Sequence, residues 1–285
     1  MSDFIQKVIS NHLGASLISF HPVSGGCIND SYHIKTNNGG YFLKWNKKEL
    51  LEMFRVEKKG LALLNEHSPV HSPKVISFGE MDDKSYLLTE WIEKGGQNTR
   101  FWENFVRNLA LQHQVTMDQF GLDHDNFIGS LPQSNKQHHS WHSFFINERL
   151  KPQLNMASSK GLIDLGTQKK FDSLFNQLEE LIPDEPPALI HGDLWSGNFM
   201  INSEGEASIF DPAVHYGHRE TKLAFTQLFG GFSSELYHYY NEEYPLAPGF
   251  DERVDIHNLY PLLVHVNLFG SSYLSGINQT LRRFS

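Results

Sequence analysis

Three residues in the second half of the chain have the types and spacing for phosphoryl transfer. Asp193 lies in His191-Gly192-Asp193-Leu194-Trp195-Ser196-Gly197-Asn198, a polar loop between the apolar runs Leu189-Ile190 and Phe199-Met200-Ile201. Asn198 follows Asp193 by five positions, and Asp211 follows it by eighteen, directly after the run 207–210. A carboxylate can orient a hydroxyl and take its proton, while an amide and a second carboxylate offer hard oxygen ligands for Mg²⁺. Transfer from ATP requires these parts. Asp and Asn also form ordinary turns, and His191-Gly192-Asp193 alone would suit that reading. The spaced Asn198 and the second acid after a strand favour chemistry.

The nucleotide side of such a site falls in the first ninety residues. Gly25 and Gly26 sit in Val23-Ser24-Gly25-Gly26-Cys27-Ile28-Asn29, a turn between two strand-like runs. Glycines let a backbone bring its N–H groups close to phosphates. The pattern is not Gly-x-Gly-x-x-Gly, and a plain hairpin turn has the same composition. Lys44 stands in Tyr41-Phe42-Leu43-Lys44-Trp45, on the second strand after that turn. A lysine buried in an apolar strand needs a carboxylate or a phosphate. Glu57 in the following helix is the candidate carboxylate, with Glu49 and Glu52 as rivals. Cys27 is the only cysteine. Near Lys44 and oriented N–H groups its thiol pKa would fall, making it a candidate redox site; otherwise it is a small side chain in a tight loop.

Whole blocks of the chain resemble a known family. His191 through Asn198, with Asp211, is similar to the kinase-fold small-molecule phosphotransferases, which include the aminoglycoside and choline kinases. Asp193-Leu194-Trp195-Ser196-Gly197-Asn198 and Asp211-Pro212-Ala213-Val214-His215-Tyr216-Gly217-His218-Arg219-Glu220 resemble the fructosamine kinase (ketosamine 3-kinase) family. So do the block from Asn126 to Asn135, the stretch from Trp141 through Phe145 to Glu148-Arg149-Leu150, and Leu228-Phe229-Gly230-Gly231-Phe232. The resemblance runs from about Ser24 to the C-terminal region. It implies a bilobal, protein-kinase-like α+β fold and an ATP-dependent kinase of the 3-hydroxyl of ketosamines, a deglycation activity. It also implies Asp193 as catalytic base, Asn198 and Asp211 as Mg²⁺ ligands, and a Lys44–Glu57 ion pair that positions the α- and β-phosphates. By analogy with that fold, Leu87-Leu88-Thr89-Glu90-Trp91-Ile92 is the hinge, where Glu90 and Ile92 offer backbone hydrogen bonds to adenine. An ordinary edge strand is the plainer alternative.

Other residues have less specific signals. Trp195, two positions beyond Asp193, suits the floor of an acceptor pocket. His218 and Arg219 open a helix and either stabilise it or contact the catalytic loop or substrate; Glu220 suits its first turn. His191 braces the loop backbone. His138, His139 and His142 lack the zinc-protease pattern and a carboxylate between them, so they read as exposed helix histidines. His113 reads as a packed helix residue.

These residues need elements to position them. Apolar spacing predicts helices over 4–13 and 49–66, and strands over 16–21, 31–35, 41–45, 75–78 and 86–91. Beyond Lys94-Gly95-Gly96-Gln97-Asn98 the period is mostly helical, over 101–117, 141–150, 169–181, 220–228, 234–240 and 254–268. The expected organisation is a sheet-rich nucleotide-binding lobe over 1–93 and a helical catalytic and substrate lobe over 94–285, with a cleft between them.

Composition narrows the class. Of 285 residues 39% are hydrophobic, and Lys plus Arg number 24 against 33 acids, a net charge of −9. A core is expected, and an acidic chain is a poor binder of nucleic acid or anionic membranes. The charge favours cationic or neutral acceptors, with carboxylates near the site's mouth. One cysteine excludes an internal disulfide framework, and no leader or membrane-length apolar segment stands out, so a cytoplasmic location is expected. About eight residues separate Asp211 from the helix near Arg219, too few for a long peptide-docking activation segment, and no Ala-Pro-Glu follows. A small-molecule acceptor, a ketosamine or glycated amine, is therefore preferred to a peptide. A kinase of another small alcohol or sugar, or a noncatalytic nucleotide-binding scaffold, is the alternative.

Overall fold

Short apolar runs separated by turns in the first ninety residues form five antiparallel strands: β1 (Leu17–Pro22), β2 (Asp30–Thr36), β3 (Gly39–Lys47), β4 (Val75–Met81) and β5 (Lys84–Glu90), in the order β1-β2-β3-β5-β4. In this computed structural model, which describes residues 1–24 and 28–284, the chain forms two compact units. One is Met1–Asn108 with Gly197–Pro212; the other is Leu109–Ser196 with Ala213–Ser285.

In the first unit two helices take opposite roles. α1 (Ser2–Leu13) buries Phe4, Ile5, Val8 and Ile9 with Leu43, Tyr86 and Leu88. α2 (Leu51–His67) packs Phe54 and Leu61 with Leu87. Successive strand residues point to opposite faces, so Lys44, one step from Leu43 and paired with Leu87, shares the α2 side. α1 stops at Gly14, whose φ of 57° is the left-handed cap that glycine tolerates best.

The expected break after residue 93 is not where the compact units divide. A hairpin of Phe199–Ile201 with Ala207–Ile209 belongs to the first unit. Gly95 N–H donates to Ile201 O at 2.9 Å, and a Cβ at Gly95 would collide with the Asn202 carbonyl. Ile209 N–H donates to His71 O, also at 2.9 Å. Phe199 packs among Phe101, Trp102 and Phe105 at the start of α3 (Phe101–His113). The glycine stretch at the expected boundary is thus a packed seat for this hairpin.

The second unit is helical around Trp141, Phe144, Phe145, Phe171, Leu259 and Leu263. α3 ends four residues before the expected Met117, because Val115 and Thr116 leave the helix to pair with Ala188 and Leu189. Conversely, the helix begun at Trp141–Phe144 passes through a π-helical turn, Phe145–Leu150, and continues as Lys151–Ser159. Pro152 supplies no N–H to the Glu148 carbonyl four residues back, and the Arg149 guanidinium donates to that carbonyl instead at 3.0 Å. The predicted helix 254–268 is two, Phe250–His257 and Leu259–Phe269, with Pro261 in the first turn of the second. A short hairpin, Asn126–Ile128 with Leu131–Gln133, and the helix Leu274–Leu281 were not anticipated. No helix among the described residues is long and apolar enough to cross a membrane.

Candidate active site

Lys44 occupies the central strand of the first unit's sheet and is 6% exposed. Glu57 lies three residues after Phe54 and four before Leu61, on the buried stripe of α2. That spacing aims its carboxylate at the sheet. Lys44 Nζ donates to Glu57 Oε1 at 2.7 Å and also bonds an oxygen of Asp211. The rival acids lie elsewhere: Glu49 is exposed, and Glu52 pairs with Arg55 at 3.2 Å. Burial alone would depress the ammonium pKa, but Asp211 and Glu57 more than offset it and hold it above its usual value. Burial pushes the Glu57 carboxyl up and Lys44 pulls it back; the lysine is the charged centre of the triad.

Asn198 and Asp211 flank the open end of the hairpin. Ile209 pairs with Phe199, and one step further Phe210 N–H donates to Asn198 O at 3.2 Å. Asp211 follows with φ of 58°, one of two positive-φ non-glycine residues among those described. The Asp211 side chain is 40% exposed, against 15% for Glu57, so it alone of the two carboxylates has a substantially open face. The pair supplies oxygen donors of the type a hard divalent cation takes.

At the proposed hinge, Glu90 N–H already donates to Lys74 O at 3.0 Å, and its carboxylate accepts from Lys74 N–H and pairs with His71. Ile92 lies beyond the end of β5 and makes no backbone hydrogen bond among the described residues. Gly25, Gly26 and Cys27 lie outside the described residues.

The second unit carries the Asp193 loop. Ala188–Ile190 pairs with His215–Gly217, and Ala213 N–H donates to His191 O at 2.9 Å. Gly192 adopts φ of 85°, and a Cβ there would run into the Ala213 carbonyl. Glycine is therefore required between His191 and Asp193. His191 is buried and accepts from Asp193 N–H through Nδ1 at 3.3 Å, the bracing role expected of it. Leu194 is buried and anchors the loop, while Asp193 and Trp195 remain half-buried. Trp195 meets the Phe229 ring edge-on at 6.3 Å, and Phe229 lies 4.7 Å from His265.

His218 and Arg219 turn away from this loop. His218 Nε2 bonds Pro183 O at 3.0 Å, and its Nδ1 accepts from Glu220 N–H. Arg219 makes two 2.8 Å bonds to Glu185, donates to the Tyr244 and Pro245 carbonyls, and stacks on Tyr244. Their donors are committed to the unit's interior. Glu220 is not a simple exposed first-turn acid: it is fully buried, bound by Arg253 at 2.6 and 2.8 Å and by His257 at 3.1 Å. His218, Glu220 and His257 are close enough to hold a metal ion, but Arg253 takes the carboxylate and both His218 nitrogens are engaged. This cluster is a brace.

The other histidines are more enclosed than expected. His138 bonds Ser143 and Glu148, each at 2.8 Å, and His142 is buried against Ile182 O at 2.9 Å. Only His139 of that group is exposed. Glu148, outside the histidine run in sequence, reaches His138 because the helix brings it back. His113 is packed against Tyr240 at 2.7 Å, as expected.

Sequence reading assigned no role to Lys222. It is 5% exposed and its Nζ donates to Gly192 O at 2.6 Å, beside Asp193. The available signal was an oddity: a lysine in the first turn of a helix, where the dipole disfavours cations.

The fructosamine kinase family model matches residues 1–285. A protein of Enterococcus faecium designated a probable ketoamine kinase is 38% identical over 283 residues, 98% of this chain and 99% of its own. The chloroplastic protein-ribulosamine 3-kinase of Arabidopsis thaliana is 36% identical over 258 residues, 89% of this chain and 78% of its own. A crystal structure from Haemophilus somnus, provisionally designated a fructosamine-3-kinase, superposes with a TM-score of 0.87 at 30% identity, covering 100% of this chain and 97% of that one. The chain belongs to the fructosamine kinase family.

Proposed function

We propose that this protein transfers the γ-phosphoryl group of ATP to the 3-hydroxyl of a ketosamine. The observation that carries the reading is the buried Lys44 ammonium held by Glu57 and Asp211, in a member of the fructosamine kinase family. An ammonium has three donors. Two are met by the carboxylates, and the third suits an oxygen of the non-transferred phosphates. Asn198 and Asp211 would hold Mg²⁺, which when bound neutralises charge on phosphate oxygens. The open face of Asp211 fits that role.

Asp193 orients the acceptor hydroxyl and takes its proton as the new O–P bond forms. The bond from the γ-phosphorus to the β–γ bridging oxygen breaks, and ADP departs with that electron pair. Trp195, Phe229 and His265 offer ring faces on the same unit as Asp193. Such faces suit the cationic secondary amine of a ketosamine.

The test compares ketosamines of small amines with their parent sugars, with the phosphate located by NMR. We expect kcat/KM for the adduct to exceed that for the sugar by at least about tenfold, or roughly 1.4 kcal/mol. Equal values would make the protein a general sugar kinase. Phosphate at another hydroxyl would overturn the 3-kinase assignment.

A further inference from the structure

We propose that Lys222 is a positioning residue for the catalytic base, locking the peptide that precedes Asp193. The inference rests on the reading of Asp193 as the base. The Gly192–Asp193 peptide has two polar groups, and both are held. Its N–H donates to His191 Nδ1 at 3.3 Å, and its C=O accepts from Lys222 Nζ at 2.6 Å. Gly192 is in the left-handed region and brings little rotational resistance of its own. Without the lysine, one side of the peptide plane loses its restraint, and the direction of the Asp193 side chain loosens with it.

Stability gives little reason for a lysine here. It lies in the first turn of Glu220–Leu228, where backbone N–H groups already present positive charge. It is buried, and burial disfavours the charged form. The cavity it lines is about 30 Å³ and also receives Arg149, Asp193, His215, His257, Tyr260 and His265. Burial, with a smaller contribution from Arg149, holds the Lys222 amine down at about 7 against the upward pull of Asp193. Asp193 is the carboxylate that favours its charge, so the electrostatic benefit and the hydrogen bond converge on the same loop.

The experiment is a double-mutant cycle of Lys222→Met and Asp193→Asn, read by kcat, KM for Mg-ATP and thermal melting. Asp193→Asn alone should lower kcat by about 10² to 10⁴, the usual worth of a general base. Lys222→Met alone should lower kcat by roughly tenfold to a hundredfold, as expected for misplacement of a reacting group. Its KM for Mg-ATP should stay within about twofold, because ground-state nucleotide binding is not its role. In the Asp193→Asn background the same change should matter less than about twofold, because both residues act as one unit. Lys222→Arg, which keeps donor and charge, should recover part of the loss.

A folded Lys222→Met enzyme with wild-type kcat overturns the inference, as does an undiminished loss in the Asp193→Asn background. If Lys222→Met does not fold, Lys222→Gln is put through the same cycle and the same outcomes decide. Full turnover in Asp193→Asn overturns the base assignment itself, and this inference with it; a dead Asp193→Asn beside an unaffected Lys222 variant removes only Lys222.

Discussion

The two units bury charge in different ways. In the first, Lys44 sits between Glu57, 15% exposed, and Asp211, 40% exposed. In the second, Glu220 is 0% exposed and is closed by Arg253 and His257, while Arg219 places four of its five N–H donors on Glu185 and two carbonyls. Both are buried ion clusters built on sound hydrogen bonds. They differ in whether a member keeps an open face. A cluster whose partners are all internal holds the fold together, whereas a half-open carboxylate remains available to a ligand. Ion pairing by itself does not distinguish a ligand site from a brace; an unclosed side leaves room for a ligand.

The largest test of that contrast is to remove one cation from each cluster. Arg253→Met leaves Glu220 buried without its bidentate partner and should cost about 3–5 kcal/mol of stability. Lys44→Met leaves Asp211 able to turn to water and Glu57, whose carboxyl is already pushed up by burial, able to take a proton, so its loss in urea denaturation should be clearly smaller. Nucleotide affinity should behave in the opposite sense, collapsing in Lys44→Met and surviving in whatever Arg253→Met remains folded. Equal stability losses would mean that the exposure of Asp211 does not relieve the first cluster.

Acid should separate the units next. His113 and His218, both in the second unit, are held to about 3, first by burial; nearby Arg219 adds to the effect at His113 and His257 at His218. An unfolded histidine titrates near 6.5. Between about 3 and 6.5 the unfolded chain therefore binds more protons than the folded one, and stability falls as pH is lowered through that window. The slope approaches about 1.4 kcal/mol per pH unit for each such group. Urea midpoints at pH 6.5, 6.0, 5.5 and 5.0 should fall steadily, and His113→Gln should flatten the curve. A slope unchanged in that variant would mean that His113 is protonated in the folded state.

The smallest effect concerns backbone strain. Asp82 and Asp211, both in the first unit, have φ of 57° and 58°. Glycine adopts this conformation without a Cβ penalty, so Asp82→Gly should change stability by no more than about 1 kcal/mol, with strain relief opposing lost side-chain contacts; Asp211→Gly should cost more, because it also takes one of two carboxylates from the buried Lys44. Activity should part them: Asp82→Gly stays active, while Asp211→Gly loses metal-dependent nucleotide binding. Unaltered Mg²⁺ dependence in Asp211→Gly would remove Asp211 from the metal site.

Much of the local structure was legible. The strand that carries Lys44 followed from the turn at 37–40 that precedes it, and Glu57 from the family resemblance, to which the structure adds its place on the buried stripe of α2. The need for Gly192 became visible only with the Ala213 carbonyl in place. The helix starting at Trp141 was recognised, but not its passage through Pro152, because Arg149 meets the carbonyl that proline leaves without a donor. His218 and Arg219 had the composition of a functional pair, yet their partners, Pro183, Glu185, Tyr244 and Pro245, lie 25 to 35 positions away in sequence.

The sequence by itself determined the elements and the chemical parts: which stretches are strand or helix, and the Asp193, Asn198 and Asp211 spacing. Those depend on periodicity and on neighbours a few residues apart, which the chain order carries directly. Only the tertiary structure decided that Asp211 meets Lys44 across 167 positions, that the 199–209 hairpin joins the first unit, and that Lys222 grips Gly192 from 30 positions away. The reason is physical: a buried ammonium can be satisfied by any acceptor that folding brings within about 3 Å, and residue order alone does not select among them.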